Sequence, residues 1–375
     1  MNLKFEFFAR FVAVAALVFV LLGFNWDRVE LESRAFVVTL GIDAGEDTPF
    51  EVSMNIADTI AMESGEDEQV TLRKAEGDSL AHALGQVEAN ISDKVYFGHT
   101  KAIIFGEGVL ADENLLRETA DTLFRNNEIN IKAIVMAADG NTADILAAKP
   151  REQGLLGVYL SSFYNNNNAN TASSAVKLDL EDMMAGLMNS GSTIIPRITT
   201  ENDDEIAISG VAVVRDFALL DFVEEEDMAG YLWLLENAAG TQVPIEADGG
   251  HITFSTAKSR ARLSFRETEG RLVCHVKLKV EGSIEGAVFM GEKLFDDNKL
   301  SEYQAAFAEK INDEIVEIFH TFQDLGVDGL GLQEILRKRH WPIYQRHADN
   351  WHTSFAETTL VTEVDVIIRN TGAVK

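Results

Sequence analysis

Three histidines late in the chain, His340, His347 and His352, are the residues whose type first suggests chemistry, namely metal binding. Their spacing fits no standard pair of zinc ligands on one helix face. Trp341 and Trp351 stand beside them, and histidines among aromatic residues are more often partly buried packing residues than ligands. We therefore predict structural histidines here and no metal site.

Other patterns with catalytic or ligand-binding precedents lack the context that their chemistry requires. The glycines within 326–331 follow a predicted helix and no strand, so they indicate a helix end and not a phosphate-binding loop. The acids of 203–205 lack the Gly and the bidentate Glu of a calcium loop. Cys274 alternates with apolar residues, which indicates a small core residue. The sequence predicts no catalytic residue, no cofactor and no metal.

The most unusual polar cluster is Gly98-His99-Thr100-Lys101, which interrupts an apolar strand predicted over Val95–Phe105. An interruption of this kind is explained by an exposed strand edge or bulge, or by a contact site. Both explanations stay open at this point. His99, Thr100 and Lys101 are the candidate contact residues.

The composition is that of a folded acidic protein. Of 375 residues, 61 are Asp or Glu and 32 are Lys or Arg, a formal charge of -29, with 46% hydrophobic residues. This excludes a disordered chain. The acidic surplus argues against nucleic acid and against broad adhesion to anionic lipid. The single cysteine excludes an internal disulfide framework.

The first residues predict export. Phe7–Phe24 is apolar except for Arg10, and Lys4 also precedes the uninterrupted apolar run. Basic residues before such a run are typical of a signal or anchor segment with the following chain exported, although a buried core helix is an alternative. Because Leu22-Gly23-Phe24 is a poor cleavage site, we predict an uncleaved membrane anchor over residues 1–25.

Strands and helices are both predicted after the anchor, in an α+β fold of mixed α/β type. The predicted three-domain ectodomain has sheets packed by helices. An N-terminal α/β domain over 26–200 contains an Asn-rich loop at 164–175, a mainly β domain covers 201–285, and a helix-rich α+β domain covers 286–375.

Two predictions concern the later part of the chain. Strands are predicted at His251–Ala257, Ala261–Arg266 and Arg271–Glu281, and the last alternates strictly between apolar and polar residues. Ser301 and Gln304 form a capping-box pattern, which predicts that a long amphipathic helix begins there.

Several motifs follow one another along the chain in a fixed order. They include the run from Trp26 to Leu31, Leu40-Gly41-Ile42-Asp43, Phe97–Lys101 with the following Gly106-Glu107, and several later segments. The later segments are Ile195–Ile198, Ser209–Val213, Gly230–Leu234 and the C-terminal Trp341, Trp351 and Phe355. In this order the motifs resemble the Ger(x)C family, the C subunits of spore nutrient germinant receptors.

The resemblance implies a non-enzymatic ectodomain on the outer face of the spore inner membrane, beside multi-span A and B receptor subunits. The motif positions that we consider candidate contact residues are Trp26, Asp27, His99, Thr100 and Lys101. The family carries a lipidated Cys before its Trp-Asp pair, and Asn25 stands there in this chain. An amide cannot take a thioether-linked lipid, so the anchor helix would substitute.

Two alternatives to the receptor subunit stay open. An exported solute-binding protein that captures the germinant would need an apolar pocket between domains with convergent polar groups. A cell-wall hydrolase would need a pair of buried carboxylates about 5–10 Å apart in a cleft. Whether this subunit itself binds a nutrient is not decided by the sequence.

Overall fold

The computed structural model describes residues 34–57, 70–150, 154–165, 176–202, 205–235, 238–247, 250–288 and 297–370. Within these ranges the chain forms two β-sheets with helices packed on them, which confirms the predicted mixed α/β fold class. The strands are β1 (Arg34–Ala44), β2 (Phe50–Ala57), β3 (Val70–Gly77), β4 (Lys94–Tyr96), β5 (Ala102–Phe105), β6 (Ile134–Ala138), β7 (Ser192–Asn202), β8 (Glu205–Arg215), β9 (Ala218–Val223), β10 (Gln242–Ala247), β11 (Gly250–Thr268), β12 (Arg271–Val288) and β13 (Thr359–Asn370). The helices are α1 (Leu80–Ala89), α2 (Glu107–Ala111), α3 (Glu113–Arg125), α4 (Thr142–Ala147), α5 (Leu156–Asn165), α6 (Leu180–Asn189), α7 (Tyr231–Leu234), α8 (Asp297–Asp324), α9 (Leu332–Arg339), α10 (Trp341–His347) and α11 (Trp351–Ala356).

The larger sheet has nine strands in the described part of the chain, in the order β3-β2-β1-β5-β6-β7-β8-β9, with β4 beside the first residues of β1. Strands β1, β4, β5, β6 and β7 run parallel to one another. Parallel neighbours therefore begin at the same edge of the sheet. We call it the starting edge; Arg34 at the start of β1 and Ser192 at the start of β7 both lie there.

Both faces of the larger sheet are covered by helices. Alternate residues of β5 enter two separate apolar cores. Ile103 and Phe105 pack in the core that includes α1, α3 and α6, whereas Ala102 and Ile104 pack in the core that includes α4 and α5. A sheet buried on both faces reads as a nearly continuous apolar run, as β5 does.

The smaller sheet has the order β10-β11-β12-β13 and is covered on one face. Val276 and Leu278 of β12 are buried in one core with Phe307 and Ile311 of α8. Lys277, on the opposite face of the strand, is exposed. The predicted alternation of this strand is present, because only one face has apolar partners.

The two sheets share an apolar core. Ile194 of β7, Val213 of β8 and Val223 of β9 belong to the same buried cluster as Phe319 of α8. A hydrogen bond joins the same elements, since Arg215 at the end of β8 donates from Nη1 to the carbonyl oxygen of Leu325 over 2.9 Å. Helix α8 therefore connects the smaller sheet with one end of the larger one.

Two strand predictions are wrong in detail. The strand predicted over Val95–Phe105 is divided into β4 and β5, because the chain leaves the sheet between them. The strands predicted at His251–Ala257 and Ala261–Arg266 form the single strand β11, whose pairing with β12 shifts by a bulge between Thr256 and Lys258. A bulge lets a strand continue past a change in the alternation of its side chains.

The predicted start of the long helix is also wrong. Helix α8 begins at Asp297, so Ser301 lies inside the helix and is not its N-cap. The predicted end is confirmed: α8 finishes at Asp324, and Gly326 has a φ of 64°, a left-handed conformation that glycine adopts without strain.

Several predictions fall outside the described residues. These are the anchor over 1–25, Asn25, Trp26 and Asp27, and most of the Asn-rich loop at 164–175, of which the structure describes only 164 and 165, in α5. Among the described helices, none combines the length and the apolar character that crossing a bilayer requires. The three-domain division stays a prediction; strands on both sides of its boundary near residue 201, β7 and β8, pair in the larger sheet.

Candidate contact site

The turn over residues 97–101 leaves the sheet between β4 and β5, both of which pair with β1. The turn is fixed by backbone hydrogen bonds. The Thr100 N–H donates to the Phe97 carbonyl oxygen over 2.9 Å, and the Lys101 N–H donates to the Val38 carbonyl oxygen over 2.8 Å. The strand therefore resumes beside β1 with its polar insertion held in one conformation.

The three candidate residues of this turn have different environments. Thr100 is fully buried, and its hydroxyl donates to the Val37 carbonyl oxygen over 3.3 Å. Asn130 Nδ2 in turn donates to the Thr100 carbonyl oxygen over 2.9 Å. His99 and Lys101 are exposed. Thr100 therefore holds the turn on the sheet, and the two residues beside it are presented to solvent.

His99 belongs to an aromatic cluster at the starting edge of the larger sheet. Its ring stacks on Phe36 at a centroid distance of 5.0 Å and an interplanar angle of 16°. The Tyr96 ring meets His99 edge-on at 5.4 Å, and the guanidinium carbon of Arg34 lies 5.0 Å from the centre of the Tyr96 ring. Such aromatic and cation–π contacts fix the rings without burying the outer face of His99.

Gly98 lets these rings approach the turn. A Cβ atom at Gly98 would lie 2.5 Å from Tyr96 Oη, closer than any real carbon–oxygen contact. Gly98 is required by this close approach, since its own φ is not in the left-handed region. Phe36 and Tyr96, which complete the cluster, were not among the predicted residues. The aromatic type of Tyr96, within the strand predicted over Val95–Phe105, is the signal that was available.

Asp43 and Gly106, from two other motifs, are joined inside the larger sheet. Asp43 ends the buried part of β1, and its carboxylate accepts hydrogen bonds from the Thr142 hydroxyl and from the Thr142 N–H, the latter over 3.3 Å. A side chain at Gly106 would overlap this carboxylate. Burial raises the pKa of Asp43 above the usual aspartate range, although the Thr142 hydrogen bonds act in the opposite direction. These motif positions therefore build the sheet.

The later motifs are likewise used for packing. Arg197 of the Ile-Pro-Arg segment donates from Nε to the Ser209 carbonyl oxygen over 2.9 Å and pairs with Glu224 at 2.5 Å. Trp233 is fully buried and donates from Nε1 to Glu314 of α8 over 2.9 Å. Arg197 thus joins neighbouring strands of the larger sheet, and Trp233 holds α7 on α8.

The histidines and the cysteine considered above have ordinary partners. His347 Nδ1 lies 3.0 Å from Ser354 Oγ, His352 Nδ1 lies 3.0 Å from the Gly326 carbonyl oxygen, and the His340 ring contacts Phe265. Across the described ranges no three His, Cys, Asp or Glu side chains are grouped to hold a metal ion. Burial raises the pKa of the Cys274 thiol to about 12, so this cysteine is not a thiolate at neutral pH.

An open cleft of about 870 Å³ lies between α6 and β7 on one side and α7, α9 and α10 on the other. Polar groups from both sides line it, including Asn189, Thr193, Tyr231, Asp328 and Gln333. Asp328 is already bonded, because its carboxylate accepts from the Leu332 and Gln333 N–H groups and from Trp351 Nε1 over 2.7–3.1 Å. Burial nevertheless raises its pKa.

Asp43 and Asp328 do not form a catalytic pair with each other. Asp43 lies at the end of β1 in the larger sheet, and Asp328 lies between α8 and α9 beside the smaller sheet. Each is held by its own hydrogen-bond donors.

Comparisons with known proteins agree over nearly the whole chain. A family model described as the spore germination protein N-terminal domain matches residues 27–200, and one described as spore germination B3/GerAC like, C-terminal, matches residues 209–372. Spore germination protein B3 of Bacillus subtilis (strain 168) is 22% identical, with 93% of this chain and 94% of the relative covered. Spore germination protein KC of the same organism is 23% identical, with 92% of each covered.

A solved structure has the same fold. The crystal structure of the GerBC protein superposes with a TM-score of 0.60 at 19% identity, covering 91% of this chain and all of the solved one. The family predicted from the motifs is thus confirmed by the two matching family models. This chain belongs to the spore germination B3/GerAC-like family, the family of germinant-receptor C subunits that its sequence resembles.

Proposed function

We propose that this chain acts as the C subunit of a spore nutrient germinant receptor and works without catalysis. The observation that carries the proposal is the match of both family models, which together extend from residue 27 to residue 372. The motif residues in the described structure support it, because Asp43, Arg197 and Trp233 serve packing.

The subunit would stand on the outer face of the spore inner membrane beside the A and B subunits, held there by the segment over 1–25. Within this arrangement, the turn that presents His99 and Lys101 is the contact site we propose. Its exposed ring rests on Phe36 and Tyr96, so little side-chain entropy is lost when a partner binds it.

Deletion of the gene in the host spore former, with the A and B subunits retained, tests the function. We expect the germination response to one nutrient class to be lost and to return when the full chain is supplied. Measurement is by the fall in optical density of a spore suspension after nutrient addition. An unchanged response would contradict the proposal.

A substitution tests the contact site separately. We expect His99→Ala to weaken co-purification with the A and B subunits and to slow germination, while the free energy of unfolding changes by less than about 1 kcal/mol, as for an exposed residue. His82→Ala, which removes an exposed histidine from α1, is the matched control. Equal behaviour of the two variants would remove the contact role of His99.

The cleft favours a second candidate function, capture of the germinant by this chain. Polar groups converge from both of its sides, including Thr193 and Tyr231. Calorimetric titration of the full chain in detergent with amino acids and sugars would show heats of binding, reduced by Tyr231→Phe. An absence of heat would contradict this candidate and leave the receptor-subunit role intact.

A further inference from the structure

The hairpin of β11 and β12 is strongly cationic in an acidic protein. Between Lys258 and Lys279 there are seven Lys or Arg residues and two Glu residues, whereas the whole chain has a net charge of -29. All seven are exposed and alternate with the buried residues of their strands, so they lie on the face that α8 does not cover. We call Lys258, Arg260, Arg262, Lys277 and Lys279 the cationic face.

Like charges stand opposite each other on this face. In the register of the two strands, Arg262 pairs with Lys277 and Arg260 pairs with Lys279. Like charges directly opposite on neighbouring strands are destabilising. Only part of this charge is neutralised. Lys277 Nζ lies 2.6 Å from Glu363, Lys279 Nζ lies 3.7 Å from Glu281, and Lys258 stands opposite Glu281 in the register. Arg260 and Arg262 make no ion pair with any residue that the structure describes.

Protection of the sheet edge does not explain this arrangement. Lys and Arg on an exposed edge strand block pairing with other chains, and β11 beyond Lys258 is such an edge, since β10 pairs only with its first residues. Lys277 and Lys279, however, lie on β12, which is paired on both sides. Edge protection therefore does not account for these two lysines. Glu363 and Asp365 of β13 stand opposite them on the other side, whereas Arg260 and Arg262 on β11 have no acidic residue opposite.

We propose that the cationic face docks on the headgroups of anionic phospholipids. Its cations project from one face of two paired strands, and Arg260 and Arg262 have no ion-pair partner among the described residues, so a layer of mobile phosphates can meet them together with the lysines beside them. Each Lys or Arg close to an anionic bilayer contributes about fivefold to partitioning. The net charge of the chain does not prevent this, because charges beyond about 8–10 Å are screened at physiological salt.

The position of the hairpin agrees with a membrane contact. Its end adjoins α10: Arg346 Nε lies 2.8 Å from Glu267, and the Phe265 and His340 rings are 5.9 Å apart. Helices α9 and α10 in turn line the cleft together with Ser192, on the starting edge where the chain enters β1. Trp341, 51% exposed, follows His340 and supplies the aromatic type typical of membrane interfaces.

The inference rests on the proposed membrane-anchored function, and its test is independent of germination. The full chain is reconstituted in vesicles of phosphatidylcholine alone or of equimolar phosphatidylcholine and phosphatidylglycerol. A water-soluble acylating reagent is added, and mass spectrometry gives the modification rates of Lys258, Lys277 and Lys279. Lys310 on α8 is the internal reference. We expect the three rates to fall about fivefold or more with phosphatidylglycerol, and to recover at high salt.

Charge reversal tests whether the protection depends on the cationic face or only on the net charge of the chain. We expect Arg260→Glu/Arg262→Glu to abolish the protection, and Arg117→Glu/Arg125→Glu on α3, which changes the net charge equally, to retain it. Folding is checked by the thermal midpoint, which should not fall in the first variant because it places Glu opposite Lys279 and Lys277. Arg260→Gln/Arg262→Gln gives the same test without new charge.

Equal lysine rates in the two kinds of vesicle would overturn the proposal. So would loss of protection in the α3 control. Protection by soluble poly-L-glutamate but not by phosphatidylglycerol would assign the face to an acidic protein partner and also overturn it. If the lysines are not protected but deletion of the gene still impairs germination, the lipid contact is wrong and the receptor-subunit role stands.

Discussion

The two sheets of this protein differ in how many of their faces are covered. Helices cover both faces of the larger sheet, so the residues of β5 are buried whichever face they point to. The smaller sheet has helices on one face, and its other face carries Lys277, Lys279 and the opposite arginines.

The difference determines where each sheet can contact another molecule. A sheet covered on both faces has only its edges and connections available, and the exposed His99 lies in such a connection at the starting edge. A sheet covered on one face presents a broad surface of its own. The two contacts that we propose therefore differ in form: one is a compact aromatic cluster, and the other is an extended charged face.

The largest expected effect tests whether the larger sheet is buried on both of its faces. Ile104→Ala should lower the free energy of unfolding by about 2–5 kcal/mol, because Ile104 is fully buried on the second face of the larger sheet. Lys277→Ala, at a central position on the open face, should change it by no more than about 0.5 kcal/mol. Chemical denaturation measures both. Similar losses would contradict the difference between the sheets.

A smaller effect concerns the buried carboxylate of the larger sheet. Asp43→Asn should lower the free energy of unfolding by about 1–3 kcal/mol in acid, because it disturbs the hydrogen bonds with Thr142. The pKa of Asp43 is raised in the folded protein, so its contribution to stability is fullest below the unfolded pKa and is lost as the pH rises through the folded pKa.

The deficit of Asp43→Asn should therefore shrink from acid toward neutral pH. Denaturation at several pH values measures it, and Asp93→Asn at an exposed position is the control. A deficit that grows with pH would show that Asp43 is better stabilised as an anion than its burial indicates.

Next in size is the aromatic turn. Gly98→Ala should displace the Tyr96 ring and cost about 0.5–1.5 kcal/mol, the usual contribution of an aromatic contact. Near-ultraviolet circular dichroism would report the displaced ring. Gly85→Ala in α1, where an added Cβ meets nothing within 4 Å, should instead raise stability by up to about 1 kcal/mol. Equal effects would contradict the close approach at Gly98.

The smallest expected effect is a gain on the open face. Arg262→Glu places a carboxylate opposite Lys277 and should raise the free energy of unfolding by about 0.2–1 kcal/mol. Lys258→Glu makes the same charge change opposite Glu281 and should lower it. Both effects should shrink at high salt. Two changes of the same sign would contradict the cross-strand explanation.

The sequence predicted the elements whose environment is local. The alternation of β12 could be recognised in the sequence because one face of the strand is apolar throughout. Strand β3 was missed, since Arg73, Lys74 and Glu76 give it no apolar face and it lies at the margin of the larger sheet. Strands β4 and β5 were predicted as one strand, because apolar residues stand on both sides of the polar insertion.

The candidate sites were predicted only in part, because their residues come together from distant positions. His99 was identified by its interruption of an apolar run, but its contact with Phe36 depends on the pairing of β4 with β1. The cationic face depends on the register that sets Arg262 opposite Lys277. An overall charge of -29 conceals that local surplus, so composition argued against the lipid contact that we now propose.

Helix α8 has a mechanical consequence. Its 28 residues extend about 42 Å at 1.5 Å per residue. Near its beginning, Gln304 accepts from the Ile368 N–H of β13 over 3.0 Å, and just beyond its end, the Leu325 carbonyl is held by Arg215 of β8. A helix that is bonded at one end to the smaller sheet and at the other to the larger sheet is a rigid connection between them. A tilt of the smaller sheet would therefore displace β8, without any rearrangement of the helix in between.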